Sequence, residues 1–274
     1  MNPKIPLNSV INDNCMSFIT KLPDKCIDLI ITDPPYGISH GNKLTMSNIK
    51  NLEGFGGDWS IINEEWDTFT FEDYCSFIKE ILKESSRVLK ENGTIFICGT
   101  YHNIGIINYL ALETGFRIIN EIIWYKRNAF PNLSQKCLTA SHENILWLSK
   151  SESWNYNYED IKKTSYHFDN LKEPNKQMRS VWDIPNNKEK KELAYRKAFT
   201  DKSYWIKSQK PLRLIDRCIE MAAIFDQDQF VIADWFSGSG TTLVSAKNHS
   251  LNFIGCEVNP KFIEVIEWRL ANLS

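Results

Sequence analysis

No two of the seven cysteines in this 274-residue chain are separated by just two residues. Their odd number and wide scatter, at 15, 26, 75, 98, 137, 218 and 256, give no disulfide framework and no zinc-ligand spacing. The five histidines, at 40, 102, 142, 167 and 249, have no ligand spacing either, so no metal site is expected. Long apolar runs are missing too. Nothing reaches eighteen residues and the start is not basic-then-apolar, which predicts neither a membrane span nor a signal peptide. With reduced cysteines, this points to a cytoplasmic protein. There is no internal repeat and no low-complexity tract. An excess of one charge is also lacking: 32 Lys and Arg against 34 Asp and Glu leave −2. That balance excludes a uniformly basic surface.

The charge is unevenly spread, however. Between Asn186 and Arg213 nine Lys or Arg face three acids, an excess of +6 that leaves −8 on the remainder. The same stretch carries Tyr195, Phe199, Tyr204 and Trp205. A basic stretch is most often a solvated loop, but interleaved aromatics favour contact with nucleic acid.

Strand signals recur along the chain at residues 27–32, 93–98 ("GTIFIC"), 118–125, 144–148 ("NILWL"), 230–234 ("FVIAD") and 252–258. Residues 71–89 place apolar side chains at helical spacing, and Asn92-Gly93 predicts a turn before the next strand. Two more helices are expected at 241–249 and 260–273, the second opening with proline. Alternating strands and helices predict a mainly parallel, twisted sheet with helices on both faces. Two stretches break the pattern. Residues 37–67 are rich in Gly, Asn and Ser and carry Trp59 and Trp66, as a functional or mobile loop would be. Residues 150–208 are polar and aromatic, as an inserted recognition segment would be.

Two motifs carry the chemistry. In "DLIITDPPYGIS" (28–39) an apolar strand must end at Pro34-Pro35, because neither proline can donate to a ladder. Asp33 then sits at the strand's carboxyl end, where open α/β sheets bind ligands. A plain strand-and-turn reading accounts for these residues about as well when they are taken alone. In "VIADWFSGSGTT" (231–242) a strand, an acid, a glycine turn and a helix start follow one another. Gly238 and Gly240 would let backbone approach a ligand, and the helix N-terminus favours a negative group. No Lys follows the glycines, so this is not a P-loop. Leu243 stands where a dinucleotide site has its third glycine. Glu257 ends the next strand, 23 residues after Asp234, placed to accept from ribose hydroxyls. A turn used only for packing is the competing account. The glycine turn and ribose acid together suit an adenosyl cofactor with a small tail.

Joined, these motifs resemble the amino-type DNA methyltransferases that use S-adenosyl-L-methionine, and specifically the adenine-N6 enzymes with a "DPPY" tetrad. The tetrad precedes "FSGSGTT", the order of the family's beta group, a circular permutation. "NCMSFITKLPDKCIDLIITDPPYG", "RVLKENGTIFICGTYHNI", "NEIIWYKRNAFPN", "SHENILWLSK", "SQKPLRLIDRCI" and "NFIGCEVNPKFIEVIEWRL" extend the resemblance over nearly the whole chain. Trp235 stands for the usual proline after the motif acid, and Ser208 for the Thr before Gln-Lys-Pro. The family's early acidic contact to the cofactor adenine falls on Asn14, with Asp13 one place earlier.

The resemblance implies a Rossmann-like class I methyltransferase fold. Residues 1–150 would be the catalytic half, 151–208 the target-recognition segment and 209–274 the cofactor-binding half. Catalysis would fall to Asp33, Pro34, Pro35 and Tyr36: Asp33 and the Pro34 carbonyl would accept the amine hydrogens of a flipped-out adenine, on which Tyr36 would stack. The cofactor would be held by Asn14, Cys15, Asp33, Lys210, Pro211, Asp234, Phe236, Ser237, Gly238, Ser239, Gly240, Thr241, Thr242 and Glu257. Arg179, Lys190, Lys191 and Arg196 are the candidate DNA contacts, the arginines as base readers and the lysines on phosphates. Double-stranded DNA is the expected partner, with a homodimer and either a cognate restriction endonuclease or an orphan role. A cytosine-N4 enzyme is the nearest alternative, disfavoured by Asp33 because those enzymes generally carry Ser there. An inactive DNA-binding module of the same fold is the second.

Overall fold

The computed structural model describes residues 5–36, 70–129, 131, 136–164, 175–186, 189–206, 208–226 and 229–272. The stretch 37–67, expected as a loop, lies wholly outside the described residues. Among the described residues the eight strands are β1 (Ser9–Asn12), β2 (Ile27–Thr32), β3 (Leu89–Gly99), β4 (Arg117–Tyr125), β5 (His142–Ser149), β6 (Val181–Asp183), β7 (Val231–Asp234) and β8 (Asn252–Glu257). Helices are α1 (Cys15–Ile19), α2 (Phe71–Val88), α3 (Ile104–Glu113), α4 (Tyr158–Lys163), α5 (Tyr195–Ala198), α6 (Leu212–Ala222), α7 (Thr241–Asn248) and α8 (Pro260–Asn272). All eight strands form one sheet in the order β1-β8-β7-β2-β3-β5-β4-β6. Only β5 runs against the rest, pairing antiparallel with both β3 and β4. This is the mixed α/β architecture expected, with the carboxyl ends of the other seven strands along one edge.

β2 is buried at all six positions. Ile27 and Ile30 pack with α1, α2 and α3, while Leu29 and Ile31 pack against α6 and α7 on the opposite face. A strand covered on both faces reads as a continuous apolar run, which is why it was legible. α2 starts where Thr70 Oγ1 accepts from the Asp73 amide at 3.1 Å, and it buries Tyr74, Ile78, Ile81, Leu82, Ser85 and Val88.

Three features depart from the expected pattern. Asn92-Gly93 lies inside β3, in a bulge between the Ile27–Leu89 and Leu29–Thr94 pairs. Buried Asp28 faces that bulge, taking Lys90 Nζ at 2.8 Å and the Val231 amide at 2.9 Å on Oδ2. The turn dipeptide therefore bends a strand and does not separate two elements. Second, α3 follows β3, although its "IGIINYLALE" is apolar on nearly every side and lacks amphipathic periodicity. Third, the segment 151–208 is anchored in the core. Its β6 pairs in parallel with β4 at the sheet's edge, and Ile161, Trp182 and Ile184 are buried with the α6 side chains. Among the described residues no helix is long and apolar enough to cross a membrane.

Candidate active site

The carboxyl edge of the sheet collects acids because several strands end in them. Asp33 follows β2, Asp234 closes β7, Glu257 closes β8, and Asp13-Asn14 follow β1. One cavity of about 400 Å³ runs along this edge. It is lined by Asp13, Asn14 and Cys15 from β1–α1, by Thr32 to Tyr36, by Lys210, by Asp234 to Ser239, by Thr241 and Thr242, and by Glu257. The volume is within the range of small-molecule sites. Phe77 and Phe262 supply aromatic wall that sequence reasoning did not single out, and Trp205, named there among the aromatics of the basic stretch, joins them.

At one end is the glycine turn. Asp234 is buried, and its Oδ1 accepts from Thr32 Oγ1 and from the Phe236 amide, each at 3.1 Å. Burial pushes its carboxyl up to about 7 despite those hydrogen bonds. Glu257 accepts the Gly238 amide on Oε2 at 2.8 Å and the Asn259 amide on Oε1 at 2.9 Å, leaving further lone pairs towards the cavity. Gly238 has φ +50 and nothing nearer than 4.0 Å to where a Cβ would lie, so it is the glycine that leaves the cavity open. Gly240 differs from the expectation. It has φ +74 and a Cβ there would meet Ile266 of α8 at 2.9 Å; packing demands it, and it does not line the cavity. Pro211 also stands behind the wall, at the N-cap of α6.

Asn14 is committed locally: its side chain accepts from the Met16 amide at 2.9 Å, capping α1. Asp13 beside it is tied to Lys21 at 2.9 Å. Trp235, the proline replacement, is buried and donates from Nε1 to Ser85 Oγ at 2.9 Å, so it secures α2 under the cavity. Burial pushes the Cys15 thiol up to about 12 and holds Cys98 well above the usual thiol range. Neither supplies a thiolate nucleophile at neutral pH. Among the described residues no disulfide joins any two cysteines, and Cys98 and Cys256 are buried.

At the other end lies the tetrad, with Pro34 and Pro35 buried. Tyr36 Oη donates to Asp33 Oδ1 at 2.9 Å, and Lys210 Nζ donates to Asp33 Oδ2 and, at 2.9 Å, to Tyr36 Oη. The Lys210 ammonium also lies 5.6 Å from the Tyr36 ring centroid. Sequence reasoning missed Glu143 and Lys126. Glu143 Oε2 is 3.4 Å from Lys210 Nζ, and Lys126 Nζ donates to Glu143 Oε1 at 2.8 Å. The chain Lys126–Glu143–Lys210–Asp33 therefore alternates in sign. Burial works against the Lys210 charge, but Asp33 and Glu143 together hold its ammonium well above the ordinary lysine value. Lys210 is fixed in turn from the segment 151–208: buried Glu192 accepts the Leu212 amide at 2.8 Å, capping α6 two residues further on.

None of Arg179, Lys190, Lys191 and Arg196 lines the cavity. Arg179, Lys190 and Lys191 are exposed, Lys191 within 3.6 Å of Glu189. Arg196 is half-buried, its guanidinium 5.2 Å from the centroid of the cavity-lining Trp205 and its Nη2 donating to the Ile206 carbonyl. Among the described residues no cluster of His, Cys, Asp and Glu could hold a metal.

Residues 27–267 match the model of a DNA methylase family that covers N6 and N4 enzymes. The chain is 34% identical over 274 residues to the type II methyltransferase M.HinfI of Haemophilus influenzae, covering 98% of this chain and 69% of that protein. It is 32% identical over 263 residues to the type II methyltransferase M2.DpnII of Streptococcus pneumoniae, covering 95% and 88%. Among solved structures, the PvuII DNA methyltransferase (cytosine-N4-specific) superposes with a TM-score of 0.71 at 18% identity, over 95% of this chain and 85% of that one. The M1.HpyAVI–SAM complex superposes with a TM-score of 0.59 at 19% identity, over 96% and 98%.

Proposed function

The chain belongs to the DNA methylase family, and from that premise we propose that it methylates N6 of a flipped-out adenine in a short double-stranded DNA target, with S-adenosyl-L-methionine as donor. One observation carries this: a single cavity joins the glycine turn and Glu257 to Asp33 and Tyr36. The residues present fit the cofactor. Asp234 is a buried acid suited to an ammonium, Glu257 keeps lone pairs for ribose hydroxyls, and Gly238 leaves room beside the backbone. Asn14 and Cys15 line the part of the cavity assigned to the adenine ring. When bound, this cofactor supplies an electrophilic methyl group.

The chain's own residues do the rest. The lone pair of an adenine exocyclic amine is delocalised into the ring, and two acceptors on its hydrogens localise it. Asp33 and the Pro34 carbonyl are those acceptors, the latter held rigid by consecutive prolines. Tyr36 offers a face for stacking, offsetting part of the few kcal/mol spent on unstacking the base. Positioning is the main catalytic contribution, and Asp33 compensates the positive charge that grows on nitrogen. The high thiol pKa values agree with direct transfer and no covalent enzyme adduct.

The segment 151–208 is assigned to target recognition and the motif order to the beta-group permutation. Two type II relatives support a place beside a restriction endonuclease; a homodimer is the expected assembly. Incubation with unmethylated double-stranded DNA and cofactor, followed by mass spectrometry of the nucleosides, tests the reading. N6-methyldeoxyadenosine is expected. N4-methyldeoxycytidine would replace the adenine assignment, and no product would leave a DNA-binding module.

A further inference from the structure

Glu143 places a carboxylate where the reading above assigns none. It reaches the carboxyl edge of the sheet because β5 runs backwards, so its first residues lie beside the last residues of β3 and β4. The side chain is 17% exposed. Lys126 occupies Oε1, whereas Oε2 is buried with no hydrogen-bond partner, 3.4 Å from Lys210 Nζ. A buried acceptor left unpaired costs free energy, and a binding event that fills it recovers that cost.

Lys210, at 8% exposure, is bonded to Asp33 Oδ2 and Tyr36 Oη, while Tyr36 holds Asp33 Oδ1. Both oxygens of Asp33 are thus engaged. The Lys210 ammonium competes with an incoming amine hydrogen for Asp33, and a buried ammonium shifts away only where another anion faces it. An ammonium has three protons, and Glu143 Oε2 is the nearby anion with capacity to spare.

We propose that Glu143 is a positioning residue, its Oε2 being the second seat of the Lys210 ammonium, which moves there from Asp33 as the adenine amine docks. The inference rests on the adenine reading above. Burial works against the Glu143 charge, but Lys210 and then Lys126 hold its carboxyl below the ordinary value, and Asp33 and Tyr36 beyond β2 and Cys98 of β3 complete the titratable groups around Lys210 and Glu143. No bond is made or broken in the move; one ion pair replaces another.

The test is Glu143→Gln beside the wild-type protein. Expected are cofactor affinity by calorimetry and KM for DNA within about twofold, and kcat lower by at least about tenfold, beside any fall in thermal midpoint from the lost Lys126 pair. Glu143 repels the Asp33 carboxylate, so its loss also moves the acid limb of the kcat–pH profile to lower pH. A merely structural role would lower stability without moving that limb. Glu143→Asp, which keeps the charge, should recover part of kcat. If Glu143→Gln does not fold, Glu143→Asp decides, with a smaller fall in kcat expected. Wild-type kcat with an unmoved limb overturns the proposal while the adenine reading stands. A wild-type protein that forms no methyladenine defeats the reading and the proposal together.

Discussion

The hydroxyl of Thr241 donates to the carbonyl oxygen of Lys210 at 3.2 Å. Thr241 opens the helix after the glycine turn, and Lys210 faces Asp33, so this bond ties the cofactor end of the cavity to the tetrad. Buried Arg269 donates to the same hydroxyl oxygen at 3.2 Å and to the Ser239 carbonyl. Thr241→Val keeps the shape but strands these partners. It should lower unfolding free energy by about 1–3 kcal/mol in a denaturant titration. An unchanged midpoint would mean that the two ends are held together by other interactions.

Asp33→Ala should lose at least about a hundredfold in methyl transfer, the usual cost of removing one preorganised charge-stabilising group. Lys210 keeps Glu143 as a counter-ion, so the variant should fold and still bind cofactor by calorimetry. Near-normal turnover by the folded variant would sink the mechanism.

The two glycines of the turn should behave differently. Gly240→Val forces a branched side chain into Ile266 at φ +74, and a lower thermal midpoint is expected, by roughly 1–3 kcal/mol of overpacking plus backbone strain. Gly238→Ala meets no atom nearer than 4.0 Å and should cost about 1 kcal/mol from its φ of +50 alone. Its larger effect should be on cofactor affinity, since the added methyl protrudes where the cavity is open. Equal stability losses at both positions would remove this distinction.

Asp234 should link cofactor binding to pH. Its carboxyl is raised by burial to about 7 from 3.8, so the folded state holds this proton more tightly than the unfolded chain does. Its contribution to stability is full below the unfolded value and is lost as pH rises through about 7. A cationic ligand group beside it reverses the preference and expels the proton. Affinity should therefore rise between about pH 5.5 and 7.5, with proton release measured by calorimetry in buffers of different ionisation heat. Asp234→Asn should abolish the release. If wild-type binding shows no proton linkage, the ammonium assignment is wrong.

The four candidate DNA-binding side chains should separate into three behaviours. Lys190→Ala or Lys191→Ala should weaken binding to every DNA and lower the salt slope by about one for each phosphate-binding lysine removed. Arg179→Ala should relax preference at one base position at a cost of roughly 1–3 kcal/mol. Arg196→Ala should instead act through Trp205, whose face its guanidinium covers at 5.2 Å, lowering stability and cofactor affinity with the target preference kept. Genome-wide maps of modified adenine for the three sets of variants check this. A changed target in Arg196→Ala would restore it as a base reader.

Where a local pattern had a local cause, the sequence alone determined it. β2 is readable because both its faces are buried, Asp33 because prolines must end that strand, and the turn at 238–240 because its two glycines take positive φ. The reasons for some residues lay elsewhere in the fold. Gly240 is held to glycine by Ile266, 26 residues on, as well as by its own φ; Asn92-Gly93 is a bulge because Asp28 faces it; α3 is too evenly apolar to show a helical period. Glu143 is the clearest case. Nothing in "SHENILWLSK" distinguishes a surface acid at a strand's start from one beside Lys210, and what separates them is the direction of β5. Strand direction follows from which neighbours pair across the sheet, a long-range outcome of packing, so only the tertiary structure could bring that carboxylate to the edge where Asp33 waits.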